Sequence, residues 1–404
     1  MSMPFLWGAA TSAHQVEGAN EANDWYDWET AAGSPCVEPC GSACDHLHRY
    51  PSDIALLADL GLNSYRFSIE WSRIEPEPGR FSRRWLEHYR AMTERCRRCG
   101  LEPIVTFHHF TNPRWIDSWE DPDTAKRFER FVAVVAEALG EQIAAAITIN
   151  EPNMPALLGY EEGLFPPGKR DRGARMRASE VFIDAHRRAT ATLRQAIPGT
   201  PVGLALAMAD WQALPGGEDE RDEIRRLRED IFLAATLGDD FVGVNTYTRH
   251  RIGPHGWLGN EPGVELTAAG YEFWPSALEG TLRRAAELTS GRPLIVTESG
   301  IATDDDQRRV AYIDGAIDAM RRVQSDGIDV RGFFYWSALD NFEWHHGFSQ
   351  RFGLIGVDRA TQRRTVKPSA LHLGAIAKAA QFSPNTLRSS ADDAEPPPAE
   401  RRAS

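Results

Sequence analysis

Apolar and β-branched runs alternate with longer helical patterns along most of the chain. The runs that read as strands are 6–9, 64–69, 103–107, 145–149, 202–207, 241–245, 294–297 and 332–336. Their apolar positions are continuous rather than strictly alternating, as in parallel strands covered on both faces. Apolar positions at helical spacing fill the intervals at 52–60, 82–99, 123–139, 178–196, 219–236, 275–289 and 306–324, and a last helix is predicted over 368–380. Strands that each precede a helix, repeated eight times, predict an α/β fold, the (β/α)8 TIM barrel. No linker interrupts the series, so residues 1–382 are expected to form a single catalytic domain. Residues 383–404 turn to Ser, Asp, Pro, Glu and Arg with almost nothing to bury, and are expected to be a disordered tail.

Composition narrows the function. The formal net charge of −13 disfavours nucleic acid as a partner, because such a chain repels phosphate backbones. The opening Met1-Ser2-Met3-Pro4-Phe5-Leu6-Trp7 does not read as a signal peptide, and no run is long enough to span a bilayer. Five cysteines, an odd number, fit a reduced compartment, so a cytoplasmic enzyme is the expectation. Cys96 and Cys99 lack a second pair at zinc-like spacing, and neither a metal nor a cofactor is expected. Twelve tryptophans, several beside carboxylates and histidines, suit sugar rings, whose C–H faces stack on aromatic side chains.

The predicted strands end in polar residues at the side of the barrel where function gathers. Strand two carries Arg66, strand three runs into His108-His109, and strand four into Asn150-Glu151-Pro152. Strand six closes with Asn245-Thr246-Tyr247, strand seven with Glu298-Ser299-Gly300, and strand eight with Trp336. Two glutamates on opposed strands are what glycosidic cleavage needs: one to act at the anomeric carbon and one to protonate the leaving oxygen. Arg66 and Tyr247 are within reach of Glu298 and are expected to keep it ionised with a lowered pKa. Glu151 has no cationic neighbour in sequence, and a less polar setting is expected to raise its pKa, as a general acid requires.

A longer set of motifs carries a resemblance. Phe5-Leu6-Trp7-Gly8-Ala9-Ala10-Thr11-Ser12-Ala13-His14-Gln15-Val16-Glu17-Gly18, Asp45-His46, Tyr65-Arg66-Phe67-Ser68-Ile69-Glu70-Trp71 and Thr148-Ile149-Asn150-Glu151-Pro152 occur in that order. Asn245-Thr246-Tyr247, Thr297-Glu298-Ser299-Gly300 and Asp340-Asn341-Phe342-Glu343-Trp344 follow. Over nearly its whole length the chain resembles the family 1 glycoside hydrolases, the β-glucosidase family. The resemblance implies that Glu298 is the nucleophile and Glu151 the acid/base of a retaining hydrolysis of small β-glycosides. It implies that Arg66 and Tyr247 orient the nucleophile, and that Asn150 meets the sugar 2-OH. Gln15, His109, Asn245, Glu343 and Trp344 would bind the glycone over a Trp336 platform. A glucosyl residue is the expected glycone, with galactosyl and fucosyl as variants. Transglycosylation through the same intermediate is the alternative, and a silent sugar-binding barrel a more distant one. Retaining chemistry further predicts carboxyls about 5 Å apart.

The chain also departs from the family. Phe110 stands where tryptophan is common, and Ser299 where asparagine is usual. The stretches 210–217 and 248–274 look trimmed, which predicts an open leaving-group side with little discrimination. Glu343 occupies the place where phospho-glycosidases carry serine, so a free 6-OH is expected. Glu151 is intact where plant thioglucosidases have glutamine, so O-glycosides are expected.

Overall fold

A computed structural model describes residues 4–382. The expected tail therefore lies outside the described residues. Eight parallel strands close into a barrel: β1 (Leu6–Thr11), β2 (Ser64–Ser68), β3 (Glu102–His108), β4 (Ala145–Asn150), β5 (Val202–Ala207), β6 (Phe241–Asn245), β7 (Leu294–Ser299) and β8 (Val330–Trp336). Each strand pairs with its sequence neighbours, and β1 closes the ring against β8, with Ala10 opposite Trp336. Every residue of β1, β2, β4, β6 and β7 is buried, which explains the apolar runs of β1, β4, β6 and β7, whereas β2 buries Ser64, Arg66 and Ser68 among its aromatics.

One core fills the barrel and a second lies between barrel and helices. Leu6, Ile104, Ile147, Phe241, Ile295 and Phe334, drawn from different strands, form the inner cluster. Tyr65, Phe67, Val105, Val244 and Val296 face outward into the larger cluster, where they meet helical residues such as Phe128, Phe182, Leu282 and Ile313. Helix Asp123–Leu139 has the bounds the periodicity predicts, and helix Asp306–Ser325 matches to within one residue. The helix expected to begin at residue 52 instead begins at His46 and contains Pro51. The early start is held within the helix by His46 Nδ1 on Asp53 at 2.8 Å, and from outside it by the Tyr65 hydroxyl on His46 Nε2 at 3.2 Å. The segment 219–236 is composite: an α-helix Glu218–Arg225, a π-helical turn Arg226–Asp230 and a final turn Ala234–Gly238.

Two strands lose their strict alternation just below the barrel mouth. In β4, Ala145 and Ile147 join the inner cluster, and Thr148 bonds outward to His186 at 2.8 Å. Pairing with β5 shifts register between Ile147 and Asn150. In β7 the register shifts against β6 between Val296 and Glu298, so the adjacent Thr297 and Glu298 both bond toward the barrel axis. Such irregularities re-aim side chains. Here they bring Asn150 and Glu298 onto the inner face.

Close packing around β7 yields a stability test. A Cβ on Gly300 would stand 1.9 Å from the Trp336 carbonyl oxygen, whereas one on Gly238 would meet nothing within 4 Å. Gly300→Ala is expected to destabilise the protein by about 1–3 kcal/mol through overpacking. Gly238→Ala is expected to leave the unfolding midpoint unchanged or slightly raised. Chemical denaturation of both variants checks the pair, and equal midpoints would contradict the packing.

Candidate active site

The polar strand ends converge on one cavity of about 150 Å³ at the carboxyl end of the barrel. Gln15, His109, Asn150, Glu151, Tyr247, Glu298, Trp336, Glu343 and Trp344 line it. Arg66 and Asn245 stand behind its wall and bond to it. The guanidinium of Arg66 is buried and donates to Glu298 Oε1 at 2.6 Å, to the Thr297 carbonyl at 2.9 Å and to Asn150 Oδ1 at 2.6 Å. Tyr247 donates its hydroxyl to Glu298 Oε2 at 2.6 Å. Asn245 then donates to Asn150 Oδ1 at 3.1 Å and to Glu151 Oε1 at 2.7 Å. One hydrogen-bonded path thus runs from Glu298 through Arg66, Asn150 and Asn245 to Glu151.

Charge within this path is unevenly placed. Burial, reinforced by the Glu298 charge, pushes the Glu151 carboxyl up to about 8, against the Asn245 hydrogen bond and the Arg66 charge. Glu343 is likewise pushed up to about 8, chiefly by burial, although Trp336, Asn341 and Gln15 donate to it. Glu298 departs from the sequence expectation. Its carboxyl is raised rather than lowered, because burial outweighs the opposing effects of Arg66 and Tyr247. Even so, Glu298 alone among the three carboxyls touches the guanidinium. With three buried acids and one buried cation, the negative charge is cheapest on the acid in contact with that cation.

The remaining lining is held from outside the pocket. Glu343 accepts from Asn341 Nδ2 at 2.9 Å, Trp336 Nε1 at 3.1 Å and Gln15 Nε2 at 3.4 Å. Trp344 stacks on His14 with ring centroids 5.8 Å apart and 7° between planes, while His14 is tied to Asn20, Asn23 and Glu29. The His109 ring lies nearly parallel to Trp336, 17° apart. Burial, Arg66 and His108 hold His109 well below its ordinary value, so it is neutral. Its Nε2 faces Asn150 Nδ2 at 3.3 Å, which assigns the ring hydrogen to Nδ1, where it has no partner. His108 points away and bonds Asn112 at 2.9 Å, a structural role.

Three cavity residues carry backbone strain. Glu151, Phe110 and Trp344, none of them glycine, have φ of 45°, 71° and 54°, and all three line the cavity. Non-glycine residues in this region cost about 1–3 kcal/mol each and cluster at functional sites. Phe110 therefore shapes the pocket directly, whereas Ser299 bonds Tyr312 on the outer helix at 3.2 Å and is not a lining residue.

Met154, Leu158, Phe165, Tyr271, Gln350 and Phe352 also line the cavity and escaped the sequence reading. They lie on loops or on the exposed side of a short helix, where neither periodicity nor a strand end marks them. A roomier cleft of about 420 Å³ lies beside the loop after β8. Ion pairs occupy its wall, Arg309 with Asp306, Arg351 with Asp304 and Lys367 with Asp340, and neither Glu151 nor Glu298 borders it. Among the described residues no cluster suited to a metal ion is present, and no helix is long and apolar enough to cross a membrane.

Comparison with known proteins agrees with this arrangement. The β-glycosidase BGL167 is 42% identical, with a TM-score of 0.89 over 99% of this chain and 100% of its own. The β-glucosidase from Thermotoga maritima in complex with glucoimidazole is 27% identical, with a TM-score of 0.88 over 94% of this chain and 99% of its own. Among curated proteins, β-glucosidase A of Thermotoga maritima is 30% identical over 93% of this chain and 97% of that protein. Thermostable β-glucosidase B of Thermobispora bispora is 32% identical over 91% and 88% respectively. The sequence profile of glycosyl hydrolase family 1 matches residues 1–252 and 240–382. With that match spanning both carboxylates and every barrel strand, the chain belongs to glycosyl hydrolase family 1 and is a glycoside hydrolase.

Proposed function

We propose that this enzyme is a retaining β-glycosidase that removes the terminal non-reducing β-D-glucosyl residue from small β-glycosides. The observation that carries the reading is the division of charge between Glu298, in contact with Arg66, and Glu151, raised to about 8. An ionised Glu298 attacks the anomeric carbon while Glu151 delivers its proton to the departing oxygen. The products of this step are the free aglycone and a glycosyl ester on Glu298. Glu151, now ionised, takes a proton from water as the water oxygen attacks the anomeric carbon. The ester breaks, the sugar leaves with its original configuration, and both carboxyls return to their starting states.

The glycone is held by groups already described. His109, whose ring lines the cavity nearly parallel to Trp336, offers its imidazole to a sugar hydroxyl. Gln15 and Glu343 provide an amide and a carboxyl for further hydroxyls, over the Trp336 ring. Names of the relatives favour glucose, and a Thermotoga maritima β-glucosidase structure holds galacto-hydroximolactam, which supports a tolerance for the galacto configuration. Repulsion by Glu343 is a weaker argument against phosphorylated sugars than the sequence suggests, because burial favours its neutral form. A stronger one is that among the described residues no lysine or arginine lines the cavity, so a phosphate finds no counter-charge in its lining. All five cysteines are free thiols, which supports a reducing, cytoplasmic setting.

Three outcomes follow. Glu298→Gln is expected to abolish release of nitrophenol from 4-nitrophenyl β-D-glucoside; turnover equal to the parent would end the mechanism. Glu151→Gln is expected to slow glycosides of poorly acidic alcohols by about 10²–10⁴-fold. Proton NMR of early hydrolysis should show the β-anomer of the sugar first, and an initial α-anomer would mean inversion.

The pH dependence follows from the two carboxyls as a coupled pair. Glu151 holds its proton below about 8 and loses it above, so kcat/KM should fall on the alkaline side near that pH. Glu298 must be ionised, and its raised value sets the acidic limb above the ordinary glutamate value of 4.5. A kcat/KM profile that still rises at about pH 9 would contradict the assignment of Glu151 as acid.

A further inference from the structure

Gln350 lines the active-site cavity and is only 8% exposed, yet its side-chain amide makes no hydrogen bond among the described residues. Unlike the orphaned atoms sealed inside the protein, such as Nδ1 of His109, this amide keeps contact with the cavity space. A primary amide carries two donors and an acceptor, and groups of this kind are ordinarily paired when buried. The partner of Gln350 is therefore to be sought in what the cavity binds.

The groups around the cavity form a closed circuit of neighbours. Glu298 meets Arg66, Arg66 donates to Asn150, and Asn150 Nδ2 faces His109 Nε2 at 3.3 Å. The His109 ring lies against Trp336, which donates to Glu343, and Glu343 also accepts from Gln15. From Glu343 the chain runs on through Gln350 to Phe352, whose ring meets that of Tyr247 edge-on at 5.9 Å between centroids. Tyr247 closes the circuit on Glu298 at 2.6 Å. His345 and His346 belong to the same loop, but they are only half-buried and pack on each other at 3.9 Å.

A pyranoside has a circuit of its own: C1, O2, O3, O4, then C6 on C5, then the ring oxygen. C1 belongs at Glu298, the group that attacks it. Asn150 keeps a second amide hydrogen besides the one that faces His109, which suits O2 and not a ring oxygen that turns electron-poor in the transition state. The Tyr247 hydroxyl hydrogen is committed to Glu298, so only its lone pairs remain to face that ring oxygen. With these two ends fixed, O3 and O4 fall to His109, Gln15 and Glu343, and C6 falls between Glu343 and Tyr247. That arc is the one held by Gln350 and Phe352. We propose that Gln350 is a specificity-determining residue for the exocyclic hydroxymethyl group, its amide donating to O6 while the Phe352 ring packs on C6. The proposal rests on the glycosidase reading above.

Three substrates that release the same phenol test this: 4-nitrophenyl β-D-glucoside, its 6-deoxy analogue and its 4-deoxy analogue. Each analogue lacks one oxygen, and its intrinsic reactivity cancels when a variant is compared with the parent. Gln350→Met keeps the length of the side chain and removes the amide. In this variant the kcat/KM ratio of glucoside to 6-deoxyglucoside should fall by about fivefold, the size of one neutral hydrogen bond. The ratio of glucoside to 4-deoxyglucoside should hold within about twofold, since O4 has other partners. Gln350→Ala, a second way to remove the amide, should move the two ratios alike. An equal loss on all three substrates would mark a structural role and overturn the inference. A shift confined to the 4-deoxy ratio, or no shift in either, would overturn it as well, and each of these results leaves the glycosidase reading intact. A parent that cleaves none of the three overturns both.

Discussion

The site depends on one buried cation. Arg66 touches Glu298, the β7 backbone and Asn150 together, and so ties β2 to β4 and β7 across the barrel. Removing one partner of a buried ion pair costs about 3–5 kcal/mol, because the survivor is left charged and dry. Lysine cannot take over this role, since only a planar guanidinium presents donors to several acceptors at fixed angles. Because one positive charge serves three buried acids, Glu151 and Glu343 are driven toward their neutral forms while Glu298 holds the charge. Electrostatic asymmetry between two identical side chains thus arises from the reach of a third.

The barrel supplies the rigidity that makes this asymmetry durable. Glu298, Asn150 and Asn245 stand on strands paired on both sides, and no loop motion is needed to bring them together. Residues on loops, by contrast, are tied down by aromatic contacts, as Trp344 is by His14 and Trp25. The pocket thus rests on two kinds of support: paired strand ends under Glu298, Asn150 and Asn245, and aromatic packing under the loop residue Trp344.

Much of this was legible in the sequence, for physical reasons. A strand buried on both faces is mostly apolar, so the barrel strands show as short apolar runs, with β2 marked by its aromatics around Arg66. A carboxylate at the end of such a strand stands out against its apolar run, as Glu298 does after Leu294-Ile295-Val296. The phase slips in β4 and β7 are not legible, because a register shift changes no composition. Strict alternation from Ile147 would turn Asn150 toward the helices. The raised carboxyl of Glu298 was also hidden, since burial is created by residues far along the chain while Arg66 and Tyr247 are visible as motifs. Tyr271, Gln350 and Phe352 were missed because a pocket wall assembled from separate loops leaves no local period.

The left-handed backbone at Phe110, Glu151 and Trp344 has a consequence for how such a protein changes over time. Glycine or asparagine would relieve each of these positions, so the folded state alone favours replacing all three. Their side chains nevertheless line the pocket. Selection for heat resistance by itself would therefore erode the pocket at its centre, since the residues that strain the backbone most are the ones that shape it.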